Sequence, residues 1–116
     1  MLSDKEIIFE IVSGSIQIQP FRKMNLGPVS YDLTIGEICT SHGVCRNDLQ
    51  LFPGVAVGIT TKESITLPSK TRIAGILSMR SGPTRKGLFG SFSHLVDPGY
   101  SGKLNLIVQT IKEFGI

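Results

Sequence analysis

Apolar residues near the N-terminus recur at the spacing of one helix face. Ile7 and Ile11 follow Ser3, and Glu6 stands three residues after that serine. Serine at the N-cap with glutamate at N3 is the pattern of a capping box, in which each side chain bonds the other residue's backbone N–H. Gly14 supplies a stop signal, because glycine readily adopts the left-handed conformation that ends helices. The sequence therefore predicts a short amphipathic helix here.

After this helix, the period of the pattern shortens to that of a β-strand. Apolar runs bounded by glycine and proline cover residues 15–19, 31–35, 55–61, 63–67, 71–79 and 104–111. In the last run, Leu104, Leu106 and Val108 share one face. Turn signals at intervals of about ten residues are typical of an all-β sandwich or barrel. We therefore expect a single all-β domain over residues 1–116, with one short helix at its start.

The composition narrows the classes of partner. The chain has 116 residues and a net charge of +3, with its cations scattered along the sequence. It has no tryptophan and few other aromatic residues, which argues against a surface that stacks the bases of single-stranded nucleic acid. A small polyanion explains the mild basicity as well as a polymer does, so we expect no nucleic-acid partner.

The N-terminal residues and the hydropathy of the chain indicate where in the cell the protein is expected. Residues 3–6 are polar or charged where the apolar core of a signal peptide would begin. No apolar run approaches the length of a membrane-spanning helix. We therefore expect a cytoplasmic protein with no membrane partner.

Two cysteines, Cys39 and Cys45, flank His42 with two residues on either side. This spacing offers three metal ligands, one fewer than a closed tetrahedral zinc site requires. The plainest interpretation is a pair of reduced thiols near a turn, and a disulfide here would need an oxidising compartment.

A stretch of small and cationic residues follows the apolar run that ends at residue 79. Arg80 and Arg85 flank Ser81 and Gly82, and Lys86 comes next. Little side-chain bulk, free backbone N–H groups and guanidinium forks are what a phosphate-binding turn needs. Solvated surface arginines are the alternative interpretation, but the Ser-Gly-Pro turn between them favours a shared anion site.

A single carboxylate, Asp97, lies on an Asp-Pro-Gly turn shortly downstream. An acid held on a rigid turn beside a phosphate site is a candidate general base. Aspartate also caps turns through its own backbone hydrogen bonds, which is the structural alternative. His94 stands three residues earlier and could contact a substrate, although a lone histidine is more often structural.

Several of these segments, in this order, resemble the dCTP deaminase and dUTPase superfamily, and the deaminase branch most closely. The resemblance is carried by PVSYDLTIG at residues 28–36, LFPG at 51–54, TKESITLP at 61–68, RSGPTRKGL at 80–88 and VDPGYSG at 96–102. It covers nearly the whole chain. Each motif is weak alone, but five in the right order and spacing are specific.

The resemblance implies a distorted β jelly-roll or barrel of the dUTPase-like type that forms a homotrimer, with nucleotide sites between subunits. It also implies a deoxynucleoside triphosphate partner, dCTP or dUTP, with Mg²⁺ bound to its phosphates. Asp32 matches an acid that helps to position the water molecules of the metal. An exposed position on a half-buried strand is the alternative for this residue.

The resemblance further implies roles for the residues of the two later motifs. Asp97 matches the aspartate near the sugar and the attacking water, and is the candidate catalytic residue. The residues that match substrate-binding positions, at the phosphates and under the deoxyribose, are Arg80, Ser81, Gly82, Arg85 and Tyr100.

Three features depart from the deaminase pattern. The glutamate expected ten residues after Asp97 is replaced by Ile107, which cannot carry a proton. Gly82 replaces a second serine, as in the dUTPase form of the motif. The chain also ends before the C-terminal motifs of its relatives, so we expect a domain truncated at its C-terminus.

Two classes of function follow from these observations. The first is an enzyme of pyrimidine deoxynucleotide metabolism, with deamination of dCTP or hydrolysis of dUTP to dUMP and pyrophosphate as its reaction and with activity weak or lost. The second is a non-catalytic nucleotide-binding protein or trimeric scaffold. Ile107 favours the second, whereas the retained Arg80, Ser81, Arg85 and Asp97 favour a working ligand site.

Overall fold

The computed structural model describes residues 1–90 and 94–116, and these form a mostly β domain. Two α-helices and a short 3-10 helix accompany ten strands in the described residues. The helices are α1 (Asp4–Ser13), the 3-10 turn (Lys23–Asn25) and α2 (Ser81–Arg85). The strands are β1 (Gln17–Gln19), β2 (Ile35–Thr40), β3 (Cys45–Arg46), β4 (Gln50–Leu51), β5 (Val57–Thr66), β6 (Gly75–Leu77), β7 (Leu88–Gly90), β8 (His94–Val96), β9 (Ser101–Thr110) and β10 (Phe114–Gly115).

The N-terminal helix has the boundaries that its sequence predicts. Ser3 Oγ accepts a hydrogen bond from the Glu6 backbone N–H at 3.3 Å, and Glu6 Oε1 accepts one from the Ser3 N–H at 3.0 Å. Gly14 ends the helix with φ of 87°. The bonds from the backbone and side chain of Ser3 hold the pKa of the Glu6 carboxyl below its ordinary value. Ile7 is the buried residue of this helix.

An antiparallel sheet of six strands dominates the fold. Its main path runs in the order β3-β2-β5-β9-β7, and β1 pairs with the second half of β5. Two smaller antiparallel pairs, β4 with β10 and β6 with β8, complete the described strands. The expected all-β architecture with a short N-terminal helix is therefore present.

Strand β5 joins two strands that the sequence predicts as separate. The predicted runs 55–61 and 63–67 are one continuous strand, whose core face includes the polar residues Thr61 and Glu63. The pairing with β9 shifts register between Thr60 and Ser64, and the Thr61 hydroxyl accepts a hydrogen bond from the Leu104 N–H there at 2.9 Å. Polar residues on the buried face interrupted the apolar alternation that sequence reasoning used.

The strand predicted at residues 31–35 is wrong. Tyr31 makes only an isolated bridge to Leu26, and strand β2 begins at Ile35. The reason lies in the hydrogen bonds of Thr34, whose N–H donates to the side chain of Glu63 rather than to a neighbouring strand. A side-chain acceptor thus takes the place of a strand partner, and the segment runs as a connection across the end of the sheet.

Two clusters of buried apolar residues form the core. The first includes Ile38, Leu51, Leu88 and Val108, and Met79 packs against it. The second consists of Ile18, Ile65, Leu67, Val96 and Leu104, and half-buried Tyr31, Leu77 and Tyr100 pack against it. Strand β9 contributes to both clusters through its inward face, as the alternation in the sequence predicts.

The hairpin of β2 and β3 corrects the expectation for the cysteines. Cys39 and Cys45 lie directly opposite each other in this hairpin, and the structure joins them in a disulfide rather than leaving two reduced thiols. Strand pairing brings the two residues together, which their spacing of six residues did not indicate.

None of the described helices is long and apolar enough to span a membrane.

Candidate functional site

Helix α2 presents the predicted cation cluster to solvent. Arg80 is its N-cap, and Arg85 and Lys86 lie at its C-terminal end. All three side chains are exposed. The Thr84 hydroxyl donates to the Arg80 carbonyl at 3.0 Å, which ties the ends of this single turn together. The segment predicted as a phosphate-binding turn is therefore a short helix flanked by three accessible cations.

Asp32 lies beside this cluster. One of its carboxylate oxygens, Oδ2, is 3.8 Å from Nη1 of Arg80. Both side chains are largely exposed, at 47% and 75% respectively, so solvent limits this pair to about 1 kcal/mol or less. The Asp32 N–H donates to the Asn25 carbonyl at 2.8 Å. The backbone thus holds the carboxylate near the arginine without burying either charge.

The two small residues of the motif begin α2. Gly82 is exposed, and a Cβ added to it would meet nothing within 4 Å. Ser81 is the first residue of the helix, and its side chain lies outside the described part of the structure. Arg80, Ser81, Gly82, Arg85 and neighbouring Asp32 are called the cation half-site below.

Asp97 lies on the turn that its sequence predicts. The Gly99 N–H donates to the Leu67 carbonyl at 2.6 Å, and the Tyr100 N–H donates to the Asp97 carbonyl at 3.0 Å. Gly99 has φ of 97°, a conformation that glycine adopts without the strain other residues would incur. The turn is therefore anchored to the end of β5, and it carries the Asp97 side chain in an exposed position.

Tyr100 forms part of a groove next to this turn. Its hydroxyl donates to the Lys103 carbonyl, and its half-buried ring packs on the second core cluster. The groove has a volume of about 220 Å³, and it is lined by Leu77, Leu95, Val96, Tyr100, Leu104 and Asn105. Asp97 and Tyr100 together are called the aspartate half-site below.

The register of β6 and β8 places Arg80 and Asp97 beyond opposite ends of one ribbon. In the antiparallel ribbon of β6 and β8, Gly75 pairs with Val96 and Leu77 pairs with His94. Asp97 therefore follows the ribbon at the end where Gly75 lies, and Arg80 follows it beyond the opposite end. The sequence places these residues only seventeen positions apart, but it does not reveal this separation, which depends on the register.

Ile107 takes an accessible position on β9. Its side chain is 52% exposed on the outer face of the sheet, and it borders a shallow groove with Phe89, Gly90 and Gln109. The groove has a volume of about 140 Å³. The structure thus leaves room for a longer polar side chain at this position, while the isoleucine present can neither donate nor accept a proton.

Sequence reasoning missed one residue that supports the site. The carboxylate of Glu63 is buried in β5 and bonds Thr34, two residues after Asp32. The sequence feature that could have identified Glu63 is its inward position on an alternating strand. A glutamate is rarely buried there unless its carboxylate is hydrogen-bonded. His94, the other candidate, belongs to β8, but its side chain lies outside the described residues.

Comparisons with known proteins agree with this fold. No protein-family model matches the chain. A dCTP deaminase of Thermococcus gammatolerans is 34% identical over 113 residues, which are 93% of this chain and 67% of that protein. A "dCTP deaminase, dUMP-forming" of Parafrankia is 29% identical over 134 aligned residues, which are 96% of this chain and 66% of that protein.

A solved structure agrees as well. The crystal structure of 2'-deoxycytidine 5'-triphosphate deaminase from Agrobacterium tumefaciens superposes with a TM-score of 0.74 at 15% identity, covering 99% of this chain and 43% of that one. The fold is therefore of the dUTPase-like type that the resemblance implied. On the sequence match, the chain belongs to the dCTP deaminase family. It spans about two thirds of the length of the curated relatives that it matches.

Proposed function

We propose that this chain binds a pyrimidine deoxynucleoside triphosphate, dCTP or dUTP, at a site made from two copies. The observation that carries the proposal is the exposed cluster of Arg80 and Arg85 on either end of one helical turn. Guanidinium groups bind phosphate oxygens through two parallel hydrogen bonds. Both arginines are exposed, and solvent weakens the ion pair between Arg80 and Asp32. Both side chains can therefore turn toward a polyanion.

In this proposal a second copy of the chain supplies the aspartate half-site that completes the pocket. Because Asp97 and Arg80 lie beyond opposite ends of the β6–β8 ribbon, a single chain offers the phosphate ligands and the aspartate in different places. A neighbouring copy that presents its aspartate half-site to the cation half-site completes the pocket. We propose that these copies belong to the homotrimer that the family resemblance implies, with sites between subunits.

The residues fit Mg²⁺ as an ion carried by the triphosphate. Mg²⁺ keeps several waters and binds through one or two carboxylates together with substrate phosphates. Asp32 provides one accessible carboxylate 3.8 Å from Arg80, next to where the phosphates would lie. In this proposal Asp32 would hold waters of the ion, which when bound would supply positive charge at the phosphate oxygens.

Ile107 decides between the reactions. Deamination at the pyrimidine requires a group that moves a proton, and the isoleucine in this position cannot do so. We therefore propose that deamination of dCTP is weak or lost. The Asp97 carboxylate, on its anchored turn, can accept a proton from a water molecule. That water then adds to the α-phosphorus of dUTP, and pyrophosphate leaves. Arg80 and Arg85 would stabilise the charge on the phosphate oxygens.

Hydrolysis of dUTP to dUMP and pyrophosphate is therefore the reaction that the residues support best. The curated relative described as dUMP-forming supports including this product. The alternative is a non-catalytic nucleotide-binding protein or trimeric scaffold, which the exposed isoleucine favours. Both candidates predict triphosphate binding, and they differ in whether Asp97 is required for a product.

Product analysis distinguishes them. The chain is incubated with Mg²⁺ and either dCTP or dUTP, and nucleotides are separated by chromatography. We expect dUMP from dUTP, its loss in Asp97→Asn, and little or no deamination of dCTP.

Ile107→Glu, compared with Ile107→Gln as the matched polar control, is expected to raise deamination only in the glutamate variant. Binding without any product favours the scaffold, and efficient deamination by the unaltered chain contradicts the role given to Ile107.

A further inference from the structure

Three potential metal ligands converge on the hairpin of β2 and β3. Glu37 and Cys39 are two residues apart on β2 and so point from the same face of the sheet. Cys45 is the direct cross-strand partner of Cys39. One ligand atom from each lies within 4.8 Å of the others, and Glu37 Oε1 is 3.2 Å from Cys39 Sγ.

This cluster lies at the opposite edge of the sheet from the cation half-site. Strand β3 forms one edge of the six-stranded sheet, whereas β7, which packs against α2, forms the other edge. Glu37 and Cys45 are exposed, and Cys39 is half-buried. Solvent, a reductant and a metal ion therefore all have access to the three ligand groups.

The disulfide in the structure is one of two chemical forms of this cluster. Exposed disulfides are more readily reduced than buried structural ones. A dithiol reductant delivers two electrons and two protons to the Cys39–Cys45 bond, and it closes to its own disulfide. The products are two thiols that face each other on paired strands, with the Glu37 carboxylate beside them.

We propose that the reduced hairpin binds Zn²⁺ through the Cys39 and Cys45 thiolates and the Glu37 carboxylate, with water in the fourth position. Two thiolates with an oxygen ligand form a donor set that zinc accepts in tetrahedral geometry. Binding releases the two thiol protons, so the site takes up the ion only in its reduced form. A small-molecule disulfide, such as oxidised glutathione, takes the two electrons of the thiolates and two protons and is reduced to two thiols. The Cys39–Cys45 bond re-forms, both sulfur ligands are lost and the ion is released.

The third ligand of this site is not the residue that the sequence spacing suggested. The Cys-x2-His-x2-Cys spacing suggested His42 as the third ligand, and His42 lies on the exposed turn of the hairpin. The third ligand group near the two cysteines belongs to Glu37, which lies outside that motif. Glu37 is two residues before Cys39 on β2, so the two side chains share one face of the strand. The site therefore depends on the strand and not on the sequence spacing.

The test compares two forms of the same unaltered chain. One sample is reduced with dithiothreitol and desalted without oxygen, and the other keeps its disulfide. Each is titrated with Co²⁺, whose thiolate charge-transfer absorption reports sulfur ligation, and then with Zn²⁺, which displaces it. We expect about one equivalent of metal in the reduced chain and none on these ligands in the oxidised chain.

Variants identify the ligands. Cys39→Ser/Cys45→Ser is expected to abolish the absorption, and Glu37→Gln to weaken Zn²⁺ binding at least about tenfold, since even the hydrogen-bond partners of metal ligands are worth that much. Glu113→Gln, an exposed acid on another segment, serves as the control and is expected to leave the affinity unchanged. Circular dichroism verifies that each variant is folded.

Two results would overturn the proposal. One is a reduced chain that shows no more thiolate absorption than the oxidised chain. The other is an affinity in Glu37→Gln equal to that of Glu113→Gln. Because the readout is metal uptake without nucleotide, neither result depends on the proposed nucleotide function.

Discussion

The buried carboxylate of Glu63 accepts two hydrogen bonds from Thr34, one from its backbone N–H and one from its hydroxyl, each 2.8 Å long. The Lys62 N–H donates in the reverse direction to the Thr34 carbonyl, also at 2.8 Å. Residues 62 and 63 of strand β5 thus hold the connection that carries Asp32. A core residue in this way sets the position of a residue in the cation half-site.

Replacing Glu63 with alanine is expected to lower the free energy of unfolding by about 3 kcal/mol. The change removes two hydrogen bonds to a charged acceptor, and it leaves a cavity where a side chain is 1% exposed. Glu63→Gln keeps one acceptor oxygen and is expected to lose about half as much. Urea denaturation measures both, and Glu113→Ala on the surface is expected to stay within about 0.5 kcal/mol of the unaltered chain. A similar loss at both positions would contradict this account.

The capping box at the start of α1 predicts a pH dependence. Hydrogen bonds from Ser3 hold the pKa of Glu6 below its ordinary value in the folded chain. The charged carboxylate therefore stabilises the fold above the pKa of the unfolded chain, and this contribution is lost as pH falls through the lower folded value. Glu6→Gln is expected to flatten the stability curve below about pH 4, as followed by thermal unfolding. A slope identical to that of the unaltered chain would show that the capping bond does not form in solution.

Two glycines near α2 are expected to respond oppositely to serine. Gly82 has open space around it, and serine is the better helix former by about 0.5 kcal/mol. Gly82→Ser is therefore expected to leave the fold intact and to add a hydroxyl next to the phosphate site, tightening triphosphate binding.

Gly87 is the control for this change. It has φ of 102°, and a Cβ there would lie 2.8 Å from Ile111 Cγ1. Gly87→Ser is therefore expected to destabilise the chain by about 1–3 kcal/mol. Thermal unfolding of both variants, with calorimetric titration of Gly82→Ser, checks the pair. Equal destabilisation by the two substitutions would contradict the positions given to them.

Local signals in the sequence predicted those elements whose bonds are local. The helix cap from Ser3 to Glu6 and the inward face of β9 followed from patterns within a few residues. The extent of β5 did not, because Thr61 and Glu63 are polar residues on its buried face, and their partners, Leu104 and Thr34, are distant in sequence. Propensity and alternation carry no information about such partners.

The candidate site divides in the same way. Motif matches located Arg80 and Asp97, and the structure shows both on exposed, anchored segments. Their separation depends on the register of β6 and β8, which is set by tertiary packing rather than by local pattern. The convergence of Glu37 on the two cysteines depends likewise on strand pairing.

The central claim is that Arg80 and Arg85 bind the triphosphate. Calorimetric titration with Mg²⁺ and the α,β-imido analogue of dUTP, which resists hydrolysis, tests it most directly. Arg80→Ala/Arg85→Ala is expected to weaken binding by about 100-fold or more, since two charge-assisted contacts are lost. Arg46→Ala, an arginine on β3 at the opposite edge of the sheet, is expected to bind like the unaltered chain. Equal affinity in the double variant and the unaltered chain would contradict the assignment of the nucleotide site.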